Sequence, residues 1–318
     1  MRHGRVIVIG SSNTDLVIHT QRLPLPGETE MGGDLLTFAG GKGANQAVAA
    51  ARAGAEVHFI GAFGDDDFGS ARRADLLKEG VNCSGCVIKK GVPSGVALIG
   101  VGEGAKKAQA ENLILVAPGA NMRLTPEDVR KGMPKNLDKM DVVLCSTEIP
   151  INAVWAGLQF GCTNNKNGFV PHIILNPAPM PPGGLPKAIF DCGFYVTPNE
   201  HEFKLITGAK AGTAAALRIV DKKHYYFIVT RGAQGADLLL GGSPVKHVRA
   251  PKVKAVDTVG AGDCFNGCLA AQLATGVDIF KATEFAVCAA SLKVTRHGAQ
   301  AGMPRRAEIL KLMKITQA

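Results

Sequence analysis

The densest chemistry in the chain lies in Val256-Asp257-Thr258-Val259-Gly260-Ala261-Gly262-Asp263-Cys264-Phe265-Asn266-Gly267. Gly260, Ala261 and Gly262 are small residues placed just before an apolar helical pattern. The first turn of a helix leaves backbone N–H groups without intrahelical partners, and the helix dipole adds partial positive charge there. Small side chains let an anion come close to those amides, so the turn is a candidate anion hole. Asp263 follows directly, where a carboxylate could take the proton of a hydroxyl that meets a bound phosphate. An Asp in a first turn also simply complements the dipole. The glycines serve close backbone approach, which ordinary helix entry does not require.

A second glycine cluster, Phe38-Ala39-Gly40-Gly41-Lys42-Gly43-Ala44-Asn45, also leads into a helical pattern. It is not a Walker A loop, because Leu36 stands where that motif needs Gly and Gly43 where Ser or Thr should follow the Lys. The dinucleotide fingerprint fails there as well, which disfavours a Rossmann dehydrogenase. Lys42 and Asn45 at a helix entry suit a small polar ligand, and a purely structural glycine turn is the other reading. Asn199 and Glu202 after Pro198 have capping-box spacing. Cys83-Ser84-Gly85-Cys86 is a lone CxxC without a second pair or histidines at finger spacing, a weak zinc signal. Cys264 and Cys268 lie one helical turn apart and read as small core residues.

These residues need a frame. Continuous apolar or β-branched runs at Val6-Ile9, Val57-Ile60, Val142-Cys145, Ile173-Leu175, Tyr195-Thr197 and Phe227-Thr230 predict strands covered on both faces. Helical patterns at Gly43-Ala53, Ser70-Glu79 and Asn152-Phe160 separate them, and Thr125-Pro126-Glu127-Asp128 is a helix start with Thr at the N-cap and Pro at N1. The alternation predicts a parallel sheet with right-handed crossovers. Two stretches break it: strand-like pieces at Leu16-His19, Leu35-Phe38, Val96-Val101 and Leu113-Val116 have no helices between them. Two such antiparallel-looking insertions are expected to form a small separate sheet, a lid beside a ligand crevice. The predicted division is an α/β domain over residues 1–13, 39–91 and 119–318, with a β lid over 14–38 and 92–118. Ala236-Leu240 and Val245-Val248 flank Gly241-Gly242 as a hairpin; Gly260-Ala274, Phe280-Thr295 and Ala307-Lys314 read as helices.

Composition is that of a folded globular chain: 46% hydrophobic and 20% charged. The net charge of +9 comes as scattered basic pairs, such as Lys89-Lys90, Lys106-Lys107, Lys222-Lys223 and Arg305-Arg306, without aromatic interleaving. That pattern argues against nucleic acid and suits a polyanionic nucleotide substrate. No apolar run reaches the roughly 18 residues of a membrane span, and Val6-Ile9 after a short polar start is no signal peptide. The expected setting is cytoplasmic, with the eight cysteines reduced.

Asn13-Thr14-Asp15, Gly40-Gly41-Lys42-Gly43-Ala44-Asn45, Asn176-Pro177-Ala178-Pro179, Thr197-Pro198-Asn199-Glu200-His201-Glu202 and Asp257 to Asp263 resemble, in order and spacing, signature segments of a known family. It is the phosphofructokinase-B type family of carbohydrate and purine kinases, and the similarity spans essentially the whole chain. The resemblance implies a ribokinase-like three-layer α/β/α sandwich with a mainly parallel sheet and a small β lid. It implies ATP-dependent phosphorylation of D-ribose at the 5-hydroxyl; another small sugar or nucleoside is the alternative. A binding protein without catalysis is disfavoured by the intact Asp263 and glycine turn.

By the same resemblance, Asp263 is the base and Gly260, Ala261 and Gly262 form the anion hole. Asn13, Asp15, Gly41, Lys42, Gly43, Asn45 and Glu148 hold sugar hydroxyls. Asp15 could merely cap a loop; the sharper reading is one carboxylate on two vicinal hydroxyls. Asn199 and Glu202 match an element associated with Mg²⁺ through water, which is compatible with a capping box. Thr230, Arg231, Gly232 and Gly235 match a nucleotide-contacting loop at a strand end. Asp257 and the carbonyl of Val259, with the carbonyls of Lys293, Arg296 and Gly298, match a site for a monovalent cation, usually K⁺. Gly302 stands where the family often has Ser, so one hydroxyl ligand is missing. The segment between Glu202 and Thr230 is shorter than in bacterial relatives, and pairing through the lid implies a homodimer.

Overall fold

Alternate residues of the first strand face opposite ways and both sets are apolar. Val6 and Val8 pack with the helix bearing Ala44 to Ala50, while Ile7 and Ile9 pack with the helix bearing Ala153 and Leu158. A strand buried on both faces needs a helical layer on each side, which is the physical origin of a three-layer sandwich. Fully burying each such side chain contributes roughly 1.5–3 kcal/mol, enough for the apolar run to outweigh local propensity.

The computed structural model describes residues 4–102, 111–163, 171–186, 189, 194–210, 226–241 and 244–317. Residues 211–225, within the expected shortened connection, lie outside the described residues, as do Lys106-Lys107, Lys222-Lys223 and Gly242 of the expected hairpin turn. Along the chain, β1 (Arg5–Ile9), β2 (Asn13–Thr20) and β3 (Leu36–Gly40) lead to α1 (Lys42–Arg52). β4 (Glu56–Ile60) and β5 (Ala62–Gly64) precede α2 (Asp67–Lys78). β6 (Val87–Lys89), β7 (Gly95–Gly102) and β8 (Glu111–Ala117) precede α3 (Pro126–Gly132). Then come β9 (Val142–Ser146), α4 (Ile151–Thr163), β10 (His172–Asn176), β11 (Tyr195–Val196) and α5 (Glu200–Thr207). β12 (Tyr226–Thr230), β13 (Gly235–Leu240) and β14 (Lys246–Arg249) are followed by α6 (Ala261–Leu273), α7 (Ile279–Lys293) and α8 (Arg306–Gln317).

The large sheet has the order β14-β13-β12-β11-β10-β9-β1-β4. Its members from β12 to β4 run parallel, and β13 and β14 add an antiparallel edge. The separate sheet has the order β3-β2-β7-β8. Each insertion forms an antiparallel hairpin, β2 with β3 and β7 with β8, and the two join through a parallel pair, β2 with β7, as one small separate sheet. One face of β8 and its neighbours leaves Leu98, Leu113 and Leu115 exposed. The two-stranded pair of β5 and β6 was not legible, because three residues per strand are too few for a periodic signal. Parallel strands place their carboxyl ends along one edge of the sheet, and β1, β9, β10, β11 and β12 all deliver their following residues to one crevice.

Candidate active site

Gly260 caps the N-terminus of α6, and its φ of 75° is a left-handed conformation that glycine adopts freely. The Ala261 amide donates to the Thr258 carbonyl at 3.1 Å, closing the turn. The Gly262 and Asp263 amides belong to the first turn, which offers them no intrahelical acceptor. Asp263 is buried at 6% exposure, and both carboxylate oxygens accept N–H donors from α1: Asn45 Nδ2 at 2.9 Å and Gln46 Nε2 at 3.2 Å. Gln46 also donates to Asn176 Oδ1 at 3.1 Å, and Asn176 donates to the Thr197 carbonyl at 3.0 Å. Thr197 donates to Asn266 Oδ1 at 2.6 Å, and Asn266 returns to the Gly262 carbonyl at 2.8 Å. The carboxylate thus sits inside a closed polar chain that fixes its orientation. Two acceptors of that chain, Asn45 Oδ1 and Gln46 Oε1, are buried without a partner.

On the side of the small sheet, Asp15 projects from β2 into the space that glycine leaves at position 40, where a Cβ would lie 2.2 Å from its carboxylate oxygens. Burial, then the neighbouring Glu148 carboxylate and, more weakly, Asp263, push the Asp15 carboxyl up to about 7, against the opposing pull of Arg72. Glu148 accepts from the Ser11 hydroxyl and from the Lys42 amide, the latter at 3.0 Å. Burial alone would lower the Lys42 ammonium, but the carboxylates of Asp263, Glu148 and Glu202 outweigh it and hold its pKa above the ordinary value. Gly41 accepts from the Asn45 amide at 2.9 Å, and Gly43 lies against Gly10 so closely that a Cβ would meet its Cα at 2.6 Å. Asn13 is buried, with its side-chain oxygen accepting from Asn121 Nδ2 at 2.7 Å.

Two cavities meet at the α6 turn. A polar one of about 210 Å³ is lined by Lys42, Asn199, Glu202, Gly260, Gly262 and Asp263 among others. A more apolar one of about 410 Å³ is lined by Gly232, Gly235, Val253, Phe265, Val287 and Val294 among others, and both share Thr230, Thr258, Ala261 and Gly262. Asn199 and Glu202 form the reciprocal capping box of α5, each bond at 2.8 Å. Burial raises the Glu202 carboxyl above its ordinary value despite the Asn199 amide and the Lys42 ammonium. Arg231 is not brought to either cavity: its guanidinium pairs with Asp237 at 3.1 Å and Glu200 at 3.4 Å beside a separate hollow.

The residues expected around a monovalent cation also converge. Asp257 accepts from the Val259 amide at 2.9 Å and the Gly298 amide at 2.8 Å. The Lys293 carbonyl accepts from the Arg296 amide at 3.0 Å, and that of Gly298 from Gly302 at 3.2 Å. Into this cluster comes the Lys293 ammonium, 2.9 Å from the Asp257 carbonyl and 3.8 Å from its carboxylate.

A family model described as pfkB family carbohydrate kinase matches residues 4–306. The chain belongs to this family. The kinase is 40% identical over 308 residues to the ribokinase of Bacillus subtilis, covering 97% of this chain and 99% of the relative. It is 36% identical over 304 residues to the deoxyribokinase of Salmonella typhi, covering 94% of this chain and 95% of that one. The Arabidopsis thaliana ribokinase structure complexed with ribose and ATP superposes with a TM-score of 0.80 at 29% identity, over 98% of this chain and 99% of that chain. The architecture is therefore the ribokinase-like α/β fold, and the kinase acts on a sugar.

Sequence reading missed several residues that the kinase assembles around Asp263. Gln46 sits one residue beyond the glycine cluster, on the same helix face as Gly43 one turn earlier, and only that spacing pointed to it. Asn266 follows Asp263 by three residues, the spacing of neighbours on a helix face. Ser11 and Asn121 carried no signal; their partners Glu148 and Asn13 are distant in sequence. The inward turn of the Lys293 side chain was likewise unforeseen. Among the described residues, no helix is long and apolar enough to cross a membrane, and no group of three or more His, Cys, Asp or Glu could hold a metal ion.

Proposed function

We propose that this kinase transfers the γ-phosphate of ATP to the 5-hydroxyl of D-ribose, giving ribose 5-phosphate and ADP. The observation that carries the reading is the buried Asp263 carboxylate, held by Asn45 and Gln46 at the mouth of the α6 turn where the two cavities meet. The apolar cavity suits the adenine ring, and the polar one suits phosphates beside the free amides of the first helical turn. The sugar lies between α6 and the four-stranded sheet, which acts as a lid that excludes water as a competing acceptor. In the transfer, the sugar oxygen bonds to the γ-phosphorus, the bond from phosphorus to the β,γ-bridging oxygen breaks, and Asp263 takes the hydroxyl proton. Lys42 and the loop amides face the charge that develops on the transferring group. The unpartnered Asn45 Oδ1 is an acceptor for a sugar hydroxyl.

Glu202 and Asn199 line the phosphate cavity and offer hard oxygen donors, so they fit Mg²⁺ held through its waters. When bound, that ion neutralises phosphate charge; the chain's own part is to keep Glu202 fixed by the Asn199 amide.

Asp15 decides between ribose and its 2-deoxy analogue. A carboxylate spanning two vicinal hydroxyls loses one charge-assisted bond when the 2-hydroxyl is missing, which costs roughly 1.5–3 kcal/mol, about a 10- to 150-fold preference. The likeness to a deoxyribokinase supports the competing reading, a 2-deoxy sugar. Purified protein with ATP and Mg²⁺, assayed against D-ribose, 2-deoxyribose, fructose and a keto-sugar acid, separates them, with phosphorus NMR fixing the site of phosphorylation. Higher kcat/KM on 2-deoxyribose than on ribose, or phosphorylation away from the 5-position, sinks the ribose reading.

The raised Asp15 carboxyl also sets a pH dependence. Its folded pKa of about 7 lies above the ordinary 3.8, so in the sugar-free enzyme the protonated form grows as pH falls through 7. Two sugar hydroxyls donate to the ionised form, so KM for the sugar is expected to rise by about tenfold per unit below pH 7. Stability runs the other way, because the native state binds this proton more tightly: the protonated carboxyl's contribution is lost as pH rises from about 4 to about 7. A sugar KM that stays flat from pH 8 to pH 5.5 would contradict the Asp15 assignment.

A further inference from the structure

α7 ends in a lysine whose side chain turns into the protein. Lys293 is 0% exposed, and a charged group in that position requires partners. It finds them in Asp257: the ammonium donates to the backbone carbonyl at 2.9 Å and lies 3.8 Å from the carboxylate. The same carboxylate receives the Val259 amide from one side and the Gly298 amide from the other. The Val256 and Asp257 amides both donate to the Val294 carbonyl, at 2.7 and 3.1 Å. The turn that leads into Gly260–Gly262 is therefore fastened to the end of α7 by one acid and one internal cation.

Position 302 is crowded by backbone and by that lysine alike. A Cβ added at Gly302 would come within 2.7 Å of the Gly298 carbonyl oxygen and 3.1 Å of Lys293 Cε. A serine there would press on the lysine stem, and glycine leaves the stem its room. Resemblance marks Asp257, Val259, Lys293, Arg296, Gly298 and Gly302 as surrounding an exchangeable monovalent ion. These residues do not fit a free ion, because the Lys293 ammonium already stands in the cluster, donating to the Asp257 carbonyl at 2.9 Å and lying 3.8 Å from its carboxylate. A second positive charge would add repulsion in a region sheltered from solvent screening.

We propose that Lys293 is a built-in cation that takes the place of the monovalent ion and positions the phosphate loop, making this kinase independent of potassium. The proposal rests on reading Gly260–Gly262 as the phosphate loop, and not on which sugar is the substrate. Lys293 acts through Asp257, so it is a positioning residue.

The test uses the full chain in tetramethylammonium chloride or in KCl at equal ionic strength. ADP affinity is measured by calorimetry and melting temperature by scanning fluorimetry, alongside turnover on whichever sugar is accepted. For the wild-type protein, ADP affinity and turnover are expected to change by less than about twofold between the salts, the mark of absent ion–nucleotide coupling. The double variant K293M/G302S removes the ammonium and supplies a hydroxyl; K⁺ over tetramethylammonium is expected to raise its ADP affinity at least about tenfold. Saturable potassium activation of the wild type by about tenfold or more overturns the proposal, and so does a folded double variant that ignores K⁺. Should the double variant not fold, the wild-type comparison decides alone. Failure to bind ADP in either salt overturns the phosphate-loop reading itself, a result distinct from ADP binding that depends on potassium.

Discussion

Asp263→Asn is expected to reduce kcat by about 10²–10⁴-fold, the usual contribution of a positioned general base, while ADP affinity changes little. The expectation follows from what the carboxylate does in the site. Both oxygens accept donors from α1, at 2.9 and 3.2 Å, so the group is oriented but not neutralised by a permanent ion pair. An amide of the same shape keeps the packing and cannot take the proton of the attacking hydroxyl. It also sets one NH₂ against the Asn45 or Gln46 donors, a mismatch costing roughly 1–3 kcal/mol, so a modest loss of melting temperature should accompany the loss of turnover. Asp263→Ala removes the mismatch and gives a second measure: both variants should be slow, and only the Asn variant should carry the donor conflict. A well-folded Asn variant with near-wild-type turnover would remove Asp263 from the reaction and leave it as a residue of the α6 dipole.

Asp15→Ala is expected to lower kcat/KM for the sugar by about 10²–10⁴-fold. That range corresponds to two charge-assisted hydrogen bonds of roughly 1.5–3 kcal/mol each, at 1.4 kcal/mol per decade. The companion measurement separates binding from folding. Because the Asp15 carboxyl is pushed up to about 7 by burial and by Glu148, its ionised form is unfavourable in the folded protein. Above pH 7, removing it relieves that cost, so the Ala variant should melt no lower than wild type at pH 8. A residue that merely capped a loop would lose stability on truncation and leave sugar affinity intact. Reduced melting with an unchanged KM for the sugar would therefore reject the binding role.

The two assignments differ in how they could be read from the chain. The signature around Asp263 is local: a run of small residues, a helix start and an acid, all within one turn, and a short stretch of backbone fixes the direction of the amides. The burial of β1 and β9 was legible for the same kind of reason, since an apolar run with no polar face has to be covered on both sides. The partners of Asp263 are another matter. Asn45 and Gln46 stand 218 and 217 residues away, and they meet the carboxylate because α1 and α6 pack on the same face of the sheet. The glycine cluster named Asn45 as polar and well placed, whereas only its place one turn after Gly43 distinguished Gln46 from an ordinary helix residue.

Arg231 and Lys293 show the opposite failure. For both, the direction of the side chain sets partners that the sequence did not indicate. Arg231 directly follows β12, and Asp237 on β13 and Glu200 on α5 claim its guanidinium. Lys293 was read for its backbone carbonyl, and the structure turns its ammonium toward Asp257. A lysine at a helix end usually reaches water, so propensity points outward. Inward placement depends on Asp257, from the turn that precedes α6, and on the space left at Gly302 in the loop that follows α7.

The sequence by itself determined the layered fold, the glycine turns and the acids that stand at strand ends, because each follows from burial patterns or backbone freedom within a few residues. Only the tertiary structure decided which donors orient Asp263, which carboxyl is pushed up toward neutrality, and that the Lys293 ammonium turns inward to Asp257. Those outcomes depend on charge separations and excluded volume between segments far apart in the chain, and no local pattern encodes such distances.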